Sequence, residues 1–140
     1  MSLRTLKIIV SAVLKRNKII LSNFSHLTEK KKVNLHWWKI NKGPQNVGDY
    51  LSTVVFEYMI TRNNLDDNCS KTQNLYAIGS IIDGGYQNAT VWGSGLLRGN
   101  EKYWWSIFRK LDVRSVRGPK TRDMLIKNGY KVPEIYGDPA

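Results

Sequence analysis

Five short stretches of the chain set small residues beside a hydroxyl, an amide or a charge: Asn46-Val47-Gly48-Asp49, Gly79-Ser80, Gly93-Ser94-Gly95, Arg117-Gly118 and Asp138. Arg117 is the best suited of these residues to hold an anion. It stands where an extended run gives way to Gly118-Pro119, and proline fits the first turn of a helix because its missing N–H would have no partner there. A guanidinium and the positive end of a helix dipole then act at one point. Gly48 and Asp49 lie in a loop between a strand and a helix, where outward backbone N–H groups favour an anion or a polar ligand. Capping and tight-turn geometry account for the same two residues equally well. The glycines at 79, 93, 95 and 118 let a backbone or ligand come close, and Ser80 and Ser94 offer hydroxyls. The spacing matches neither a dinucleotide fingerprint nor a Walker A loop.

These residues need elements that bring them together. Residues 33–40 (VNLHWWKI) read as a β-branched and aromatic strand. A helix follows, with Asp49 as its N-cap, Leu51, Val54, Val55 and Tyr58 on one face, and its end near Arg62. Residues 75–78, 90–92 and 113–116 read as further strands, the first two ending in glycine and serine. Residues 111–140 then form a β–α–β unit. Thr121, Met124, Leu125 and Asn128 share a helical face, Gly129 supplies a left-handed stop, Pro133 bars continuation and 134–136 is extended. The order strand–helix–strand–strand–strand–helix–strand predicts a mainly parallel α/β sheet with flanking helices. Ligands bind such sheets beyond the carboxyl ends of the strands, and all five stretches follow strands directly. They are therefore expected on one edge. Trp104, Trp105 and Phe108 are read as covering the sheet, Arg114 and Arg122 as surface or ion-pairing residues, and His36 as structural.

The charge distribution narrows the function. The chain has 140 residues and a formal net charge of +11. Residues 1–43 carry ten Lys and Arg against Glu29 alone, whereas 44–140 carry twelve bases against ten acids. The basicity thus belongs to a leader and linker, 1–32, ahead of a nearly balanced body, 33–140. A nucleic-acid module would spread positive charge over its surface, so no nucleic-acid partner is expected. Leu3, Leu6, Val10, Val13 and Leu14 recur at helical spacing among basic residues. Residues 1–21 read either as an amphipathic segment lying peripherally on an anionic membrane face or as a helix packed on the body. No apolar run is long enough to cross a bilayer. Cys69 stands alone, and with no secretory signal pattern a reducing, cytoplasmic setting is expected. No His, Cys and Asp cluster has metal-ligand spacing, so neither metal nor cofactor is expected.

With these residues in place, the chain resembles the polysaccharide pyruvyl transferase family over residues 33–140. The matching motifs are Asn46-Val47-Gly48-Asp49, Ala77-Ile78-Gly79-Ser80, Val91-Trp92-Gly93-Ser94-Gly95, the run from Val113 to Thr121, and Tyr136-Gly137-Asp138-Pro139-Ala140. The resemblance implies two Rossmann-like lobes facing a cleft in a GT-B-like architecture. It implies transfer of a pyruvyl group from phosphoenolpyruvate to a sugar, forming a ketal on a cell-surface polysaccharide or its lipid-linked precursor. Members are commonly longer, so these residues are expected to make the first lobe and to be inactive without the second. The family's functional histidine belongs to that second lobe, and neither His26 nor His36 matches it. Arg117 is then the candidate for the donor's phosphate or carboxylate, while Asp49 and Asp138 are candidates for sugar hydroxyls. Many members have Arg-Asp where this chain has Arg117-Gly118. The reaction needs a general acid, and no residue here is assigned to it. The same fold would also suit a sugar-nucleotide glycosyltransferase lobe. A nucleic-acid-binding module using the basic leader is a third reading.

Overall fold

The computed structural model describes residues 13, 14, 17, 33–40, 42–65, 73–85, 87–98, 106 and 108–140. Four strands, β1 (Val33–His36), β2 (Gln73–Tyr76), β3 (Ala89–Trp92) and β4 (Leu111–Ser115), join in sequence order into one sheet. Every neighbouring pair is parallel. Helix α1 (Val47–Arg62) links β1 to β2, and α2 (Pro119–Lys127) follows β4. A parallel bridge between Val116 and Tyr136 extends the sheet past β4. The parallel α/β sheet read from the sequence is thus observed in the predicted order, except that the expected last strand, 134–136, is a single bridge at Tyr136.

Parallel neighbours need a crossover between them. Between β2 and β3 it is short, residues 77–88, and turns through a 3₁₀ segment, Ile82–Gly84, whose Ile82 is fully buried. Ile82 joins Tyr76, Ile81, Ala89, Val91, Val113, Val116 and Leu125 in one apolar core. β4 alternates about that core. It sends Val113 and Ser115 inward, while Asp112 and Arg114 lie outside and pair at 2.8 Å.

Arg109 is the buried cation of this core, and its structural part was not foreseen from the sequence. Its Nε donates to the Gln87 carbonyl at 2.8 Å, its Nη1 donates to the Ile82 carbonyl, and its guanidinium lies 5.0 Å from the Tyr76 ring centre. The Tyr130 hydroxyl donates to the Arg109 carbonyl at 2.9 Å. Arg109 thus ties the short crossover to the start of β4. Burial raises the Tyr76 phenol and pushes Tyr130 up to about 12, and it lowers Arg109 below the usual guanidinium value.

Three local expectations are corrected. β1 stops at His36, so 37–40 leaves the sheet rather than completing an eight-residue strand. β2 begins at Gln73 and ends at Tyr76, two residues ahead of the predicted 75–78. In α1 the buried contact is Ser52, while Val54 and Tyr58 face outward. Apolar residues occur at nearly every azimuth of that helix, so periodicity could not choose a face. Of the aromatic residues read as covering the sheet, Phe108 is 36% exposed, and Trp104 and Trp105 fall outside the described residues.

Candidate functional site

The loops leaving β2, β3 and β4 are laced together at their carboxyl ends by backbone hydrogen bonds. Gly95 N donates to the Gly79 carbonyl at 2.9 Å, Arg117 N to Ser94 at 3.2 Å, Gly93 N to Ser115 at 3.0 Å, and Gly137 N to Val116 at 3.1 Å. The Ser94 hydroxyl turns inward, fully buried, and donates to the Gly79 carbonyl at 2.8 Å. Ser94 therefore holds two loops together from beneath.

Gly93 and Gly79 both take positive φ, +88° and +97°. At Gly93 a Cβ would collide with the Pro139 ring and the Gly137 carbonyl oxygen. Only glycine lets the turn after Tyr136 lie on the loop after β3, and that turn carries Asp138. At Gly79 a Cβ would stand 3.1 Å from Asp49 Oδ1, so the first turn of α1 reaches the loop after β2.

Asp49 is not the N-cap. Asn46 caps α1, its Oδ1 accepting from Gly48 N at 2.9 Å, and the helix begins at Val47. An asparagine two residues before the glycine satisfies the exposed N–H as well as an aspartate would. Asp49, in the first turn, is left with its carboxylate against Gly79.

At the centre of the edge is Arg117. Its Nη1 donates to Ser80 Oγ at 2.8 Å, and its Nε and Nη2 both donate to Asp138 Oδ2, at 3.1 and 3.0 Å. The Arg117 side chain is 43% exposed, so it is oriented without being covered. Because Ser80 Oγ accepts from Arg117, its own O–H is available as a donor to a further group. Pro119 opens α2 at the first helical position and Gly118 is its cap, with no side chain to meet the first-turn N–H groups. A Cβ at Gly95 would stand 3.5 Å from the stem of Arg117 and from Thr121 Oγ1, an ordinary contact distance, so the loop after β3 passes beside Arg117. The edge thus gathers a guanidinium, a hydroxyl, a helix N-terminus and two carboxylates. Chemically, it can fix an anion and present carboxylate acceptors beside it.

Farther back, His36 meets Tyr76 edge to face at 5.0 Å. Burial first, and then the charges of Arg109 and Lys39, hold its pKa below the ordinary value. Arg114 pairs with Asp112 on the surface as foreseen. Arg122 is partly covered, and its buried Nε makes no hydrogen bond among the described residues. His26 and Cys69 fall outside the described residues. Among the described residues no group of three or more His, Cys, Asp and Glu is placed to hold a metal, and no helix is long and apolar enough to cross a membrane.

A family model for polysaccharide pyruvyl transferases matches residues 48–140, a shorter span than the 33–140 expected from the motifs. Searches of curated proteins and of solved structures found no match. The match takes in Gly48 and Asp49 and every other candidate residue except Asn46, and it leaves β1 outside.

Proposed function

We propose, the chain belonging to the polysaccharide pyruvyl transferase family, that its carboxyl edge binds phosphoenolpyruvate through Arg117 for transfer of a pyruvyl group to a sugar. The observation that supports this reading most is the exposed guanidinium held by Ser80 and Asp138 at the entrance to α2. Phosphoenolpyruvate carries a phosphate and a carboxylate, and a fixed guanidinium beside helix N–H groups matches either one.

In the proposed reaction the enolpyruvyl methylene takes a proton and becomes a methyl group. Two hydroxyls of the acceptor sugar attack the adjacent carbon in turn, and the bond from that carbon to the bridging oxygen breaks, its electron pair leaving with phosphate. One hydroxyl proton balances the proton gained by the methylene, and the other departs with phosphate. Arg117 would stabilise the charge that collects on the leaving phosphate. Asp49 and Asp138 are proposed as acceptors for sugar hydroxyls.

We further propose that the described residues form one lobe of a GT-B-like pair and need the second for turnover. The basic leader, residues 1–21, is proposed to lie against the inner membrane face, where anionic lipids attract such segments. The whole reading is tested by incubating the purified full-length enzyme with phosphoenolpyruvate and glycans of defined terminal sugars. Phosphate release with a new ketal methyl signal on the glycan is expected. Nucleotide-sugar turnover without use of phosphoenolpyruvate would replace this reading with a glycosyltransferase.

A further inference from the structure

We propose that the Ser80 hydroxyl donates directly to the anionic group held by Arg117, so that Arg117 and Ser80 take the donor together while Asp138 stays in place. The inference rests on the donor reading above. It names the second contact and the part of Arg117 that the anion meets.

A guanidinium has five N–H donors in one plane. Three of those of Arg117 are engaged: Nε and one from Nη2 on Asp138 Oδ2, and one from Nη1 on Ser80 Oγ. One N–H on Nη1 and one on Nη2 then meet no acceptor among the described residues. Asp138 occupies the edge formed by Nε and Nη2, so an incoming anion is received at the remaining N–H groups of the two terminal nitrogens. Asp138 then opposes it by charge rather than by taking its place.

Ser80 stands beside those nitrogens. Its Oγ accepts from Nη1 at 2.8 Å, so its own proton points elsewhere. Orientation of Arg117 accounts for the oxygen of Ser80 but not for that proton, which is donated to nothing among the described residues. A hydroxyl whose oxygen accepts from a cation is also polarised into a better donor. The residue is held in advance. The Gly79 carbonyl, next to it in the chain, accepts from Gly95 N at 2.9 Å and from Ser94 Oγ at 2.8 Å, which pins this loop to the one after β3. Donors fixed in this way need no rearrangement when the ligand arrives.

The donor set selects the ligand. Two N–H groups of a cation and one O–H, on neighbouring atoms, offer protons and positive charge and ask for none in return. A group that only accepts and carries negative charge, a carboxylate or a phosphate, satisfies all three. A sugar hydroxyl is neutral and has its own proton to donate, so it fits this set poorly.

The test is NMR titration of the full chain with phosphoenolpyruvate, inorganic phosphate and pyruvate, which follows binding into the millimolar range. Ser80→Ala should weaken phosphoenolpyruvate binding about fivefold to tenfold, as for one lost hydrogen bond to a charged group. Ser80→Thr keeps the hydroxyl and should stay within about twofold. A parallel loss for inorganic phosphate makes the phosphate the group that Ser80 meets, and a parallel loss for pyruvate makes it the carboxylate; either supports the proposal. Ser80→Ala introduced into Arg117→Ala should weaken binding at least about threefold further. Circular dichroism confirms that each variant is folded. The proposal is overturned if Ser80→Ala binds phosphoenolpyruvate as the unaltered chain does. It is equally overturned if the effect vanishes once Arg117 is replaced, because Ser80 would then serve only to hold Arg117; the donor reading survives both results. Binding of phosphate or pyruvate that depends on Ser80, with no binding of phosphoenolpyruvate, would instead overturn the donor reading and leave the anion site standing. If none of the three binds, both are overturned.

Discussion

Arg117 gives two of its N–H groups, Nε and Nη2, to a single oxygen of Asp138, at 3.1 and 3.0 Å. That edge of a guanidinium is one on which a carboxylate or phosphate ligand places two oxygens. In this chain an internal carboxylate occupies it, carried on a turn seated against Gly93. Asp138 orients Arg117 and would compete with the proposed incoming anion.

Competition outweighs orientation at so exposed an arginine. Asp138→Asn keeps the shape and removes the opposing charge. It should tighten phosphoenolpyruvate binding about threefold to fivefold, in line with the roughly 1 kcal/mol at most that such part-exposed pairs contribute. Calorimetric titration at fixed ionic strength measures this. Weaker binding in the variant would make orientation the larger effect.

Two glycines at the site should respond in opposite ways. Gly93→Ala forces a side chain into Pro139 at φ +88°, and should cost at least about 2 kcal/mol. Gly118 has an extended backbone, φ −174°, and open space where a Cβ would stand. Gly118→Asp should therefore cap α2 and stabilise the chain by about 0.5–1 kcal/mol. Denaturant melts of both variants check the pair of signs.

The cap of α1 can be assigned by substitution. Asn46→Ala should cost about 1 kcal/mol by leaving Gly48 N without its acceptor. Asp49→Ala should cost less, about 0.3–0.5 kcal/mol from the helix dipole alone. Equal losses in denaturant melts would mean that both residues cap.

The pH dependence of stability carries the signature of His36. Its folded pKa is lowered below 6.5, mainly by burial, so the folded chain takes up this proton less readily than the unfolded chain. Its contribution to stability is complete above 6.5 and declines as the pH falls from 6.5 through the lowered folded value. His36→Phe keeps a ring against Tyr76 and should flatten this part of the profile in thermal melts taken at successive pH values.

The legibility of the sequence followed how local the causes were. Both ends of α2 were readable because Pro119 and Gly129 act on their own backbone, and Thr121, Met124, Leu125 and Asn128 are indeed its buried positions. The gathering of Gly79, Ser80, Gly95, Arg117 and Asp138 followed from placing each at a strand end in a parallel sheet. Which of them would pair did not follow, since Arg117 and Asp138 meet only through the turn that Pro139 seats on Gly93. α1 was harder: apolar residues surround it, and Asn46 and Asp49 are both good capping residues. Arg109 left no signal, because an arginine among aromatic residues reads as surface until the carbonyls of Ile82 and Gln87 are seen to need it. Trp37 was read as part of a strand, which hid its edge-to-face pairing with Tyr50.

Arg117 is proposed as the anion-binding point of the edge. Its most direct test is calorimetric titration of phosphoenolpyruvate into the full chain, comparing the unaltered protein with Arg117→Ala and with Lys120→Ala, a neighbouring surface cation. Arg117→Ala should weaken binding at least tenfold and Lys120→Ala less than twofold, consistent with the roughly 1.5–3 kcal/mol of a charged hydrogen-bonded contact. Binding that is unchanged in Arg117→Ala, or weakened equally by both substitutions, would contradict the assignment.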